Sequence, residues 1–289
     1  MKVLGLLLLA LAVSVSARAQ TSPAAAPQGA PQAAAYTPPK NDKIPPGDPY
    51  VDEALKATPR KGQWADIKLK DGTVLKSWVV LPAGSAKTGV VIVVHENRGI
   101  NDWTRAVADQ AAEDGFIGIA PDLLSGKGPN GGGTDAIPST AIGQAIAGLT
   151  QSERNDRLDA AMAYGKTLPN SNGKTAVVGF CWGGGTVFAY AGAQPALNAV
   201  ASYYGPIPDD ATLSAIKAPI LGLYGENDAR ITLSVQPAAE KMKTMGKTYE
   251  PHVYPGANHA FMHQRTEADY KAAEQSWPIV VAFFKDKLK

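Results

Sequence analysis

From Trp64 onward, short apolar runs alternate with longer amphipathic segments. Residues 67–69 and 74–81 read as a strand pair around an Asp71-Gly72 turn. Residues 89–94 (GVVIVV) form a continuous β-branched run, the signature of a strand buried on both faces. A helix is predicted over 103–114, stopped by Gly115, and a second buried strand over 116–120, ended by Pro121. The glycine-rich stretch 125–135 predicts a mobile loop. Then follow a helix over 152–168, a strand over 175–179, a helix over 182–193 and strands over 200–204 and 219–224. A helix over 233–245, a strand over 249–254 and a final helix over 267–287 complete the series. This alternation predicts an α/β fold: a mainly parallel central sheet with helices on both faces.

The first part of the chain does not share this pattern. Residues 1–19 carry Lys2, an apolar run over 3–15 and the small-x-small site Ala17-Arg18-Ala19. They read as a secretory signal peptide, too short in its apolar run to span a bilayer. Export to a bacterial periplasm or beyond the cell is therefore expected, with no membrane attachment after cleavage. Residues 20–47, rich in Ala, Pro and Gln, read as a flexible linker. Residues 48–289 are expected to form a single domain. Cleavage would remove Lys2 and Arg18 and leave 26 basic against 26 acidic residues. A neutral chain has no electrostatic footprint for nucleic acid or anionic lipid. No internal repeat and no metal-ligand spacing occurs, so neither a cofactor nor a metal is expected. A monomer is expected.

In a parallel sheet covered by helices, ligands bind beyond the carboxyl ends of the strands. The residues just after each predicted strand are therefore the ones to inspect. After the strand over 175–179 stands Gly179-Phe180-Cys181-Trp182-Gly183, a G-x-S-x-G elbow with cysteine in place of serine. Cys181 is also the single cysteine, an unpaired thiol in a chain expected to be exported, although many free cysteines are simply buried. The glycines let strand and helix approach closely, and the helix N-terminus is expected to favour a thiolate. Asp228 follows the strand over 219–224, with Glu226 as the competing carboxylate. His259 follows the strand over 249–254. The order nucleophile, acid, histidine is the one this kind of sheet requires. In that reading Cys181 attacks a carbonyl carbon, His259 moves the proton, Asp228 orients the imidazole and the Trp182 N–H stabilises the oxyanion.

Together, G-F-C-W-G-G-G at 179–185, Y-G-E-N-D at 224–228, N-H-A-F at 258–261, H-E-N-R-G at 95–99 and A-P-D-L-L at 120–124 resemble the dienelactone hydrolase (carboxymethylenebutenolidase) family. The resemblance runs from about Trp64 to the C-terminus. It implies the α/β-hydrolase fold and cleavage of a small ester or lactone through an acyl-enzyme. It also implies that Glu96 contacts and helps activate the thiol, and that Asn97 supplies the second oxyanion N–H. A surface pairing of Glu96 with Arg98 or Arg105 is the alternative for that carboxylate. The family's substrate-carboxylate arginine, a few residues past the histidine, has Arg265 or His263 as its counterpart here. Two other functions fit the same residues: a cysteine peptidase or acyltransferase on this fold, and a non-catalytic binding protein with a vestigial triad.

Overall fold

Every residue from 89 to 94 is buried, as a run without polar side chains demands of a strand covered on both faces. The computed structural model describes residues 36–289. Its strands are β1 Gln63–Lys68, β2 Val74–Val80, β3 Thr88–Val94, β4 Ile117–Pro121, β5 Ser171–Phe180, β6 Ala199–Tyr203, β7 Ile220–Gly225 and β8 Tyr249–Tyr254. They join in one sheet in the order β1-β2-β4-β3-β5-β6-β7-β8. β1, β2 and β4 pair antiparallel in turn, while β4, β3, β5, β6, β7 and β8 run parallel.

The helices are α1 Val51–Ala57, α2 Asp102–Glu113, α3 Ile142–Ala147, α4 Gln151–Thr167, α5 Trp182–Ala193, α6 Asp210–Ala215, α7 Ala229–Thr232, α8 Val235–Thr244 and α9 Glu267–Lys287. Alternate residues of one strand enter two separate cores. Val91 and Val93 of β3 pack with Trp103 of α2 and Trp277 of α9 on one face. Val90, Ile92 and Val94 pack with Leu158 of α4, Phe188 of α5 and Met242 of α8 on the other. Burying side chains of this size contributes about 1.5–3 kcal/mol each. The period-two pattern thus sets both layers of helices against the sheet and holds every strand end in register.

The helix expected over 233–245 is found as α8, and the short helices α1, α3, α6 and α7 are additions to the expected series. Two expectations change. The glycine-rich segment 125–135 is pinned rather than loose. Asp122 accepts hydrogen bonds from Thr134 N (2.8 Å) and Thr134 Oγ1 (2.6 Å), and Arg157 donates to the Ser125 carbonyl (3.2 Å). The domain also starts before residue 48. Ile44 is only 2% exposed and lies in the core beside α2 and α9. Trp103 Nε1 donates to the Pro46 carbonyl (3.0 Å) and Gln264 Nε2 to the Pro45 carbonyl (2.8 Å). Residues 36–47 are thus a docked strap: one large apolar side chain and two bonded carbonyls suffice to hold a segment whose composition resembles a linker. The signal peptide expected at 1–19, and the linker from 20 to 35, lie outside the described residues. No helix among the described residues is long and apolar enough to cross a membrane.

If the strap is part of the core, Ile44→Ala lowers stability by about 2–4 kcal/mol in urea unfolding. An unchanged midpoint would return the segment to the status of a linker.

Candidate active site

Cys181 stands between β5 and α5 with φ 54° and ψ −116°. A positive φ at a residue with a side chain is sterically costly and survives only where its surroundings impose it. Its N–H donates to the Tyr203 carbonyl on β6 (3.0 Å), and its own carbonyl accepts from Gly185 N (3.1 Å). The glycines of the motif have a direct steric cause. A Cβ on Gly179 would lie 2.1 Å from the Gly183 oxygen, and one on Gly183 would lie 2.4 Å from the His95 oxygen. No other residue lets the strand and helix backbones come this close.

Two further strand ends meet the sulfur. His259, in the loop after β8, has Nε2 3.0 Å from Cys181 Sγ and Nδ1 2.5 Å from Asp228 Oδ2. Asp228, in the turn after β7, is buried to 7% exposure. Glu226, the competing carboxylate, is exposed and instead accepts from Gly256 N (2.9 Å), which steadies the histidine loop. Tyr204 packs edge-on against the His259 ring, with centroids 5.1 Å apart.

The charge around the thiol differs from the expectation. Burial first, and then the Glu96 carboxylate, push the Cys181 thiol up to about 11. The Trp182 N–H and the charge of Arg230 act in the opposite direction but do not prevail. The helix end expected to favour a thiolate is therefore outweighed, and at neutral pH the resting sulfur carries its proton.

Glu96 follows β3, and no ion pair joins it to Arg98 or Arg105. Its Oε2 is 3.1 Å from His263 Nε2, while its buried Oε1 has no hydrogen-bond partner among the described residues. Asn97 is next in the same loop. His95 braces that loop from beneath. Leu123 N–H donates to His95 Nε2 (3.2 Å), so the proton sits on Nδ1, which donates to the Glu96 carbonyl (2.7 Å). Burial lowers the His95 pKa and keeps the ring neutral, stacked on Trp182 at 5.5 Å.

The structure pairs His263 and Arg265, the expected counterparts of a substrate-carboxylate arginine, with carboxylates of the chain itself. His263 Nδ1 lies 2.5 Å from Asp48 Oδ1, and Arg265 Nε donates to Asp48 Oδ2 (2.8 Å). Both ring nitrogens of His263 are thus engaged by carboxylates, and its ring stacks on Trp103 at 4.4 Å. A ligand carboxylate at His263 would have to displace Asp48 or Glu96, whereas Arg265 is exposed and meets Asp48 through Nε. Asp48, Tyr204 and Arg230 are neighbours of the site that sequence reasoning misses. Asp48 falls at the edge of a Pro-rich segment with no periodicity, while Tyr204 directly follows β6 as the last residue of an expected strand and Arg230 lies two residues past Asp228. A cleft of about 660 Å³ opens beside Trp182 between α5 and α6, lined by Arg154, Gly185, Pro206, Ile207 and Thr212 among others.

Comparison with known proteins bears on this geometry. The family model described as "Dienelactone hydrolase family" matches residues 75–288. A protein of Escherichia coli strain K12 named "Putative carboxymethylenebutenolidase" is 32% identical over 213 residues, covering 68% of this chain and 76% of that one. One of the same name from Methylorubrum extorquens is 28% identical over 233 residues, covering 76% and 79%. The crystal structure titled as a "Putative Dienelactone Hydrolase" from Klebsiella pneumoniae superposes with a TM-score of 0.71 at 23% identity, covering 79% of this chain and 99% of that one. Fold and sequence converge: the chain belongs to the dienelactone hydrolase family, hydrolases built on the α/β-hydrolase fold.

Proposed function

We propose that the protein hydrolyses a small ester or lactone through a Cys181-His259-Asp228 triad and an acyl-enzyme. The observation that carries this reading is the unbroken chain from sulfur to carboxylate, 3.0 Å and then 2.5 Å, formed by residues that follow β5, β7 and β8.

The Asp228 carboxylate accepts from His259 Nδ1–H and leaves Nε2 free to take a proton. Because the thiol is held near 11, roughly one sulfur in ten thousand is ionised at pH 7 without help. Attack is therefore coupled to proton transfer. The S–H proton passes to His259 Nε2 as sulfur bonds to the carbonyl carbon. The carbonyl electron pair moves onto oxygen, where the N–H groups of Trp182 and Asn97 are the proposed donors. The C–O bond to the leaving oxygen then breaks, and that oxygen receives the proton from His259. Water attacks the thioester, gives a proton to His259 and releases a carboxylic acid. The proton returns to sulfur.

Glu96 is the second acid–base partner in this reading. Its free buried oxygen and its effect on the thiol support a place next to the nucleophile. The charge of Glu96 favours a protonated resting sulfur, which lowers the reactivity of the site until substrate arrives. Neither a metal nor an organic cofactor is needed for these steps.

Cys181→Ala is expected to reduce kcat/KM on small aryl esters by about 10³-fold or more with circular dichroism unchanged. Turnover equal to wild type would reject the triad, whereas no turnover by either protein would favour the binding-protein reading. Cleavage of peptides but not esters by the purified protein would favour the peptidase reading instead. Alkylation by iodoacetamide gives an independent check, since Cys181 is the one thiol in the chain. Its pH midpoint should lie above the free-cysteine value of about 8.5. Glu96→Gln should lower that midpoint while also slowing ester hydrolysis. A midpoint below 8.5 in wild type would contradict the charge balance described for the site.

A further inference from the structure

The Asp48–His263–Glu96 chain leads from the N-terminal strap to the nucleophile and is not used by the triad. Asp48 lies in the turn Asp48–Tyr50, outside the span 75–288 that the family model matches. It is separated from His263 by 215 positions in sequence, yet the two side chains meet at 2.5 Å. On its other nitrogen His263 meets Glu96 Oε2 at 3.1 Å. The His263 side chain is 7% exposed and that of Glu96 14%, so their contact is largely shielded from water, while Asp48, 42% exposed, caps the ring from the surface side.

The charged groups facing His263 come from two elements. Asp48 approaches from the strap and Glu96 from the loop after β3. Arg265, on the histidine's own loop, reaches it only through Asp48 Oδ2 (2.8 Å). α2 presents the face of Trp103, which fixes the plane of the imidazole. Glu96 in turn has one oxygen held by His263 and one buried oxygen without a partner. A carboxylate pinned through one oxygen cannot turn, so the free oxygen has a fixed direction.

We propose that Asp48 is a positioning residue for the reaction: through His263 it holds Glu96 in place beside Cys181 and keeps that carboxylate's charge compensated. The strap is then part of the working site rather than an appendage to the domain. The inference rests on the reading of Cys181 and Glu96 given above.

The electrostatics have a definite sign. Hydrogen bonds and charges from Asp48 and Glu96 outweigh the burial of His263 and raise it to about 9. Across neutral pH the ring is a cation that offsets Glu96. As pH rises through about 9 the cation is lost, Glu96 stands uncompensated, and the thiol becomes harder to ionise. The same linkage applies to folding. A raised histidine pKa contributes stability that is complete below the unfolded value near 6.5 and is lost as pH rises through about 9. Without Asp48, the loss of the cation moves to lower pH.

The test uses the full chain carrying Asp48→Asn, with Asp48→Glu as the conservative variant. At pH 8, Asp48→Asn should lower kcat on a small aryl ester about tenfold with KM little changed, because Asp48 acts through His263 and Glu96 and makes no contact with Cys181. The high-pH fall in activity should move toward neutral, and Asp48→Glu should restore much of it. Iodoacetamide labelling of Cys181 should be about fivefold slower than wild type at pH 8. That difference should vanish above about pH 10, where His263 is neutral in both proteins. A merely structural brace gives the opposite signature: loosening wets the thiol and speeds labelling at every pH. Faster labelling, or a wild-type pH profile and labelling rate, would overturn the proposal. Labelling needs no hydrolysis, so it separates the two readings. Activity retained in Cys181→Ala would refute the triad, whereas an inert Cys181→Ala beside an unaffected Asp48→Asn would refute only the role of Asp48.

Discussion

The site depends on one forced backbone conformation. Cys181 is held at φ 54° between β5 and α5, a strain worth about 1–3 kcal/mol. That cost is tolerable because Gly179 and Gly183 let the two elements close on each other and because β6 takes up the cysteine N–H. The same closeness aims the start of α5, with the Trp182 N–H, at the sulfur. His259, Asp228 and Glu96 can then each arrive from a neighbouring strand end with no long excursion of the chain.

Around this turn the charges are arranged to restrain the thiol rather than to ionise it. Burial and Glu96 keep the proton on sulfur, while His259 stands at hydrogen-bond distance from it. Arg230 and the Trp182 amide reduce that restraint without reversing it. A buried cation beside Glu96 has the same moderating effect from the other side. The thiol is thus governed by a sum of several moderate effects, and the helix end is only one of them.

Much of the architecture is legible in the amino-acid pattern. The continuous apolar run at 89–94 allows only a strand covered on both faces, and Trp182–Ala193, Tyr249–Tyr254 and Glu267–Lys287 occur where periodicity and breakers place them. The three strand-end residues Cys181, Asp228 and His259 are legible too, because topology restricts where chemistry can sit. What escapes the pattern is long-range pairing. Residues 36–47 look like a linker because local composition cannot register that Ile44 enters a core built by α2 and α9. His263 and Arg265 look available for a ligand because nothing local announces Asp48. The direction of the thiol's shift is equally hidden, since it depends on burial and on a carboxylate 85 positions away from Cys181 in the chain.

The link between Asp48 and His263 has a consequence for how the molecule comes into being. It ties the first docked segment of the chain to a loop near its last helix, so the charge balance around the sulfur is complete only when both ends of the domain have been made and have met. A chain that is still being synthesised, or one trimmed at its front, would carry the same elbow and the same cysteine in an unbalanced field. With Asp48 in the positioning role proposed for it, full reactivity would report on the integrity of the whole domain, and the enzyme would come into action only as a finished object.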